Sequence, residues 1–161
     1  MPNNIFKPKH IAAGTDYSRW LSDLKLRYQA ARIKASVSVN SELIKFYWSL
    51  GKDISLMKTD SKYGDGYLNK ISTDLRRELP DVKGFSTTNL KYMRRFYELF
   101  SISPQVVGEF EGTNPLCISL IPWDHIRYIL DYCKDSADKA LFYVNKTIDN
   151  NWSRAVLFEF P

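Results

Sequence analysis

The chain has 161 residues, 44% of them hydrophobic and 14% aromatic, which is ample for one packed domain and excludes a largely disordered chain. Its formal charge is +5, from 23 Lys and Arg against 18 Asp and Glu, a balance that points to an acidic partner, nucleic acid first. No run approaches the roughly 18 apolar residues of a membrane span, and the two cysteines, Cys117 and Cys133, make neither a zinc-binding pair nor a disulfide framework, so the chain reads as cytoplasmic.

The charge is uneven. Residues 1–61 hold ten Lys and Arg against five acids, residues 62–100 eight against five, and residues 101–161 five against eight. An anion-binding surface is therefore expected within the first hundred residues.

Residues 1–15, with Pro2, Pro8 and Gly14, lack periodicity and are expected to form a flexible arm without the apolar core of a signal peptide. From Asp16 the pattern turns helical, with Trp20, Leu21, Leu24, Tyr28 and Ala31 spaced by three and four. Ser36–Asn40 is rich in small and β-branched residues and predicts a kink or break. Leu43, Tyr47, Leu50, Ile54 and Met57 then form a heptad-like stripe, widened by Ile44, Phe46 and Trp48. Such a stripe packs inside its own domain or serves as a protein-interaction or homodimer seam, and both readings stay open at this point. Gly51 in that helix costs about 1 kcal/mol relative to Ala, which suggests a close approach by another helix.

Tyr63 to Gly66 is a turn, with Asp65 placed to cap the next helix, and it lacks the Lys-Ser/Thr pair of a phosphate-binding loop. Tyr67 to Leu79 is helical with Leu68, Ile71, Leu75 and Leu79 on one face, and Pro80 stops it. Ser86 is a suitable N-cap for a helix reaching Phe100, whose buried side carries Leu90, Met93, Tyr97 and Phe100. Ser101 to Ile121 reads as a long loop with room for one short helix. Pro122-Trp123 opens a helix to about Cys133, Asp135 or Ser136 caps another to about Asn150, and a further element begins between Trp152 and Phe160. The expected fold is all-α: a compact helical domain of about six helices over residues 16–157, with a helix-turn-helix-like core.

That core is Tyr67 to Phe100, helix, short turn with Gly84, helix. In such a unit the second helix enters the major groove of DNA. On a helical wheel Thr87, Thr88, Lys91, Arg94 and Arg95 line the side away from the predicted core, interrupted only by Glu98. Asn89 falls nearer the core edge. Arg and Lys neutralise phosphates, Arg also grips guanine, and Thr hydroxyls reach phosphate or base. Arg76 and Arg77, ending the preceding helix, would add backbone contacts or simply offset the helix dipole. The expected DNA-binding set is thus Thr87, Thr88, Lys91, Arg94, Arg95, Arg76 and Arg77, with double-stranded DNA as partner.

A catalytic or metal site is not expected. His10 and His125 are the only histidines; Asp124 and Asp131 share a helix with His125, and two acids with one histidine are few ligands for a metal. Cys117 and Cys133 lack basic neighbours in sequence and read as core. No cofactor is expected, and the chain reads as a binding module rather than an enzyme.

Four motifs carry a family resemblance. Phe46 to Lys52 resembles YW-x-(I/L)-G-K, Leu79 to Tyr97 resembles P-x-x-x-GFS-x-x-NL-x-YM-(R/K)-x-FY, Ile121 to His125 resembles I-(P/S)-W-x-H, and Asn151 to Arg154 resembles (G/N)-WSR. In this order they resemble the N-terminal domain of the bacterial YhcG family, over roughly residues 17–157. The resemblance implies a helical DNA-binding domain that precedes a nuclease-like domain of the PD-(D/E)xK kind. That fold holds a divalent metal on an acidic pair and a Lys, and no such acid-x-Lys segment follows Pro80-Asp81 here. Nuclease chemistry is therefore expected outside this chain, which would be the targeting module of such an enzyme.

Overall fold

Helices account for all regular structure in the residues that the computed structural model describes: 14–58, 66–110 and 118–159. They are α1 (Thr15–Lys58), α2 (Tyr67–Glu78), α3 (Thr87–Phe100), α4 (Pro104–Phe110), α5 (Trp123–Cys133), α6 (Ala137–Asn150) and α7 (Arg154–Glu159), with a 3-10 turn at Ile118–Leu120. The fold is all-α, as the periodicities require. None of the described helices is long and apolar enough to cross a membrane. The expected arm, His10, the Asp65 cap and Cys117 lie outside the described residues, except that α1 begins at Thr15.

The break expected at Ser36–Asn40 is absent, because α1 runs without interruption from Thr15 to Lys58. The segment contains no Gly or Pro, and the propensity cost of Val and Ser is a few tenths of a kcal/mol per residue, too little to stop a helix held elsewhere. Asn40 supplies one such hold, donating both amide hydrogens to the carbonyl oxygens of Ser119 and Ile121, each at 3.1 Å.

The chain divides into two compact units at Val39 and Asn40. In the first, the α1 residues up to Val39 are exposed apart from a half-buried Trp20. The second contains the core. Its α1 segment buries Ser41, Ile44, Tyr47, Trp48, Gly51 and Ile54. The buried face is thus shifted from the expected stripe: Leu43 stays 40% exposed while Ile44 is fully enclosed. Trp48 stacks on Phe110 and meets Phe96 and Tyr97 edge-on. Phe96 in turn packs edge-on against Trp123, whose ring contacts Tyr47. These aromatic pairs each add about 0.5–1.5 kcal/mol beyond the area they bury.

Helix α3 lies in the middle of this core and buries Leu90, Met93, Phe96, Leu99 and Phe100. Phe96 and Leu99 join the face expected from the wheel, while Tyr97 stays partly exposed. Helix α5 packs against both α3 and α6, and Ile126, Ile129 and Leu130 of α5 and Ala140 and Val144 of α6 are buried. Cys133 is buried, and that burial pushes its thiol above the ordinary range. Glu109 is a buried carboxylate that accepts from the backbone amides of Ile118 and Ser119, fixing the 3-10 turn.

Gly51 is where α1 touches α3. A Cβ there would collide with the carbonyl oxygen of Met93 and lie 2.7 Å from its carbonyl carbon. Backbone cannot rotate away as a side chain could, so the helices would have to part. Gly51→Ala is expected to destabilise the fold by about 3 kcal/mol, the upper range for overpacking, despite alanine's better helix propensity. Urea unfolding followed by circular dichroism reads this directly; an unchanged or raised midpoint would contradict the crossing.

Candidate nucleic-acid interface

The connection from α2 to α3 is fastened by its own side chains. Gly84 sits at φ +116, a region that side chains rarely adopt, and a Cβ there would meet the Tyr47 hydroxyl at 3.1 Å. The buried Ser72 hydroxyl donates to the Phe85 carbonyl at 2.6 Å. Ser86 caps α3 by accepting from the Asn89 amide at 3.1 Å, as its position in the sequence predicts. Asn89 is itself buried; its side chain donates to the Gly84 carbonyl at 2.6 Å and accepts from the Trp123 indole at 2.8 Å. The turn, α3 and α5 therefore meet at one amide.

The seven expected DNA contacts divide into three groups. Thr88 and Lys91 are exposed, with no side-chain partner among the described residues. Thr87 is half-buried and donates its hydroxyl to Asn69. Arg76 is exposed at the end of α2 but rests on the Ser72 hydroxyl, and Arg77 pairs with Asp74 and Glu78. Exposed pairs of this kind contribute about 0.2–1 kcal/mol, so they exchange readily for a phosphate.

Arg94 and Arg95 are engaged by other helices, Arg94 largely buried and Arg95 at the surface. Arg94 donates to the Tyr67 hydroxyl at 3.0 Å and lies 4.0 Å from Glu98, with its side chain only 20% exposed. Glu98 also receives the Ser55 hydroxyl and pairs with Lys58, so this cluster joins α1, α2 and α3. Arg95 donates to the Asp131 carboxylate and to the Leu130 carbonyl, each at 2.9 Å. Tyr92 adds a 2.6 Å bond to the same carboxylate, and Arg127 lies over the Tyr92 ring. The helical wheel placed both arginines away from the apolar face, but it could not see that α5 and the start of α2 supply partners there.

Lys83, in the turn, is a cation that a wheel of α3 does not include. It is exposed and without a partner among the described residues, on the same connection that leads into Thr88 and Lys91. Its position in a polar turn before a basic helix is the signal that marks it in the sequence. In the stripe from Leu43 to Met57, Tyr47 and Ile54 are buried and Leu50 and Met57 pack against the core, while Leu43 and Phe46 stay exposed.

The remaining motif residues also bind one another. Asp124 contacts the His125 ring at 3.3 Å and Arg154 at 3.6 Å, and the other His125 ring nitrogen meets the Trp152 carbonyl at 3.2 Å. Both ring nitrogens thus face acceptors, and the histidine ties α5 to the start of α7. No group of three or more His, Cys, Asp or Glu among the described residues is arranged to hold a metal ion.

These features define an all-α domain in which α2, a short turn and α3 are braced by side chains and leave Lys83, Thr88 and Lys91 exposed. The DUF1016 N-terminal domain profile matches residues 23–160, and the chain belongs to that family, the one to which its four motifs pointed. Comparisons with curated proteins and with solved structures give no match.

The brace on α3 has a pH signature. Burial opposes ionisation of Asp131, but bonds from Tyr92 and Arg95 and the charges of Arg95 and Arg127 outweigh it and hold the carboxyl below its ordinary 3.8. A group lowered in the folded state contributes stability above its unfolded value and loses it as pH falls through the folded one. Asp131→Asn is therefore expected to cost about 0.5–1 kcal/mol at neutral pH, a modest figure because the carboxylate is half exposed. The gap to the parent protein should close in acid, once the pH has fallen through the lowered folded value and the parent carboxyl is also neutral. Urea titrations at neutral and acid pH test this, and a gap that persists in acid would assign the effect to shape instead of charge.

Proposed function

We propose that this domain is a duplex-DNA-binding module, acting without catalysis of its own, that contacts the phosphate backbone through the turn before α3 and the first two turns of that helix. The observation that supports this reading is the exposed set Lys83, Thr88 and Lys91, cations and a hydroxyl left without internal partners on a helix-turn-helix-like unit. Arg76 and Arg77 at the end of α2 extend the same chemistry. Phosphate contacts position a protein without reading sequence, and that suits a module that brings another activity to DNA. The motif resemblance supplies a candidate for that activity, the nuclease-like domain that this kind of domain precedes in the family it resembles.

The reading changes which substitutions are informative. Arg94 and Arg95 brace the fold, so replacing them lowers stability and binding together. Lys83 and Lys91 can be replaced without cost to the core. In anisotropy titrations of a labelled duplex across a salt series, Lys83→Ala/Lys91→Ala is expected to reduce the slope of log affinity against log salt by about one to two, roughly 0.9 per lost phosphate contact. Its melting temperature should match the parent's. A chain that binds no duplex at low salt, or a double variant that binds as the parent does, removes the proposal.

A further inference from the structure

The first unit of the chain carries a surface that DNA contact through α3 does not use. From Tyr17 to Ser38, α1 presents Tyr17, Leu21, Leu24, Tyr28, Ala31, Ala35 and Ser38 at alternating spacings of four and three, a heptad seam about 33 Å long at 1.5 Å per residue. The seam is open: Tyr17 and Leu21 are 46% exposed, Leu24 38% and Tyr28 63%. Leu26, Ile33, Val37 and Val39 are exposed off the seam, as isolated apolar side chains ordinarily are, whereas Tyr17, Leu21, Leu24 and Tyr28 line up on one face.

The seam's flanks identify its partner. Arg27 and Lys34 border it on one side, Lys25 and Arg32 on the other, and all four are exposed. Asp16 and Asp23, the unit's acids between Thr15 and Val39, lie outside both flanks, although Asp23 bridges to Arg27 at 3.0 Å. Flanking charges decide which helices pair. A second copy of this chain is the wrong partner in either direction. Parallel pairing sets Arg27 against the second copy's Arg32; antiparallel pairing sets Arg27 against its Lys34 and Lys25 against its Arg32. Residues 1–13 are also unsuitable, since they contain Lys7 and Lys9 and no acid. Nucleic acid would match the cations but has no use for Leu21, Leu24 and Tyr28.

We infer that the Tyr17–Ser38 face of α1 is a docking surface for an acidic amphipathic helix of another polypeptide, one with apolar residues at the seam and Asp or Glu at the flanks. The small residues Ala31, Ala35 and Ser38 let the partner helix approach closely at one end, while Leu21, Leu24 and Tyr28 fill its grooves at the other. Like-charged flanks at the same time oppose pairing between copies.

The test uses the full chain and two synthetic peptides of about four heptads with the same leucine seam, one with Glu at every flanking position and one with Lys. In anisotropy titrations the Glu peptide is expected to bind and to weaken at least about tenfold between about 50 and about 300 mM salt, while the Lys peptide does not bind. Leu24→Asp/Tyr28→Asp should reduce that binding at least about tenfold; both side chains are exposed, so the melting temperature should hold, which separates a lost surface from a lost fold. Binding of both peptides alike, binding of neither, or unchanged binding by Leu24→Asp/Tyr28→Asp would each overturn the inference. So would sedimentation showing that the chain alone dimerises and that Leu24→Asp/Tyr28→Asp abolishes the dimer. The Lys83→Ala/Lys91→Ala variant should bind the Glu peptide as the parent does, so this surface and the DNA reading stand or fall separately.

Discussion

The arrangement around α3 depends on how one buried amide is satisfied. Asn89 gives a hydrogen to the Gly84 carbonyl and takes one from the Trp123 indole, while its backbone amide is held by Ser86. Each contact answers a separate cost. The turn before α3 needs a left-handed residue, and Gly84 supplies it, but its free carbonyl then needs a donor. Trp123 is drawn into the core by Phe96 and Tyr47, and its N–H then needs an acceptor. A buried polar group left unpaired costs about 1–3 kcal/mol, so one asparagine meeting both needs removes two penalties. An apolar residue in its place would fill the volume and leave both groups unsatisfied.

This arrangement changes what the sequence motifs mean. Tyr47 comes from the first, Gly84, Ser86 and Asn89 from the second and Trp123 from the third, and all converge on the same few ångströms. The fourth, through Trp152 and Arg154, closes on Asp124 and His125. The motifs therefore describe a scaffold: four distant segments whose polar groups satisfy one another. A surface that contacts DNA would show the opposite character, exposed donors without partners, and on the α2–α3 connection and the first turns of α3 Lys83, Thr88 and Lys91 have it. Arg94 and Arg95 belong to the scaffold, since their guanidinium groups join α3 to α2 and to α5.

The legibility of each feature in the sequence depends on the range of the interaction behind it. Helix ends set by local chemistry were legible: Ser86 and Ser136 cap where expected, and Pro122 opens α5. Gly51 was legible as a close approach, because an interior glycine needs a reason, although its partner Met93 was not. Periodicity placed the apolar face of α1 only to within one residue, which is why Leu43 was assigned to a core that Ile44 and Trp48 occupy. The continuity of α1 through Ser36–Asn40 was illegible for a different reason. The residue that supports it, Asn40, acts on carbonyls some eighty positions away. The engagement of Arg95 likewise rests on Asp131, in another helix, and no wheel of α3 contains it.

The two units of the chain treat charge in contrasting ways. In the second, most cations are spent internally: Arg94 and Arg95 on the α3 brace, Arg154 on Asp124, Arg127 over Tyr92. In the first, Lys25, Arg32 and Lys34 have no acidic partner and border an open apolar seam. Pairs between helices fix geometry, whereas unpaired surface charge acts through a Debye length and responds to salt. The second unit thus engages its arginines with neighbouring helices, while in the first Arg27 meets Asp23 at 3.0 Å and Arg32 lies over the Tyr28 ring.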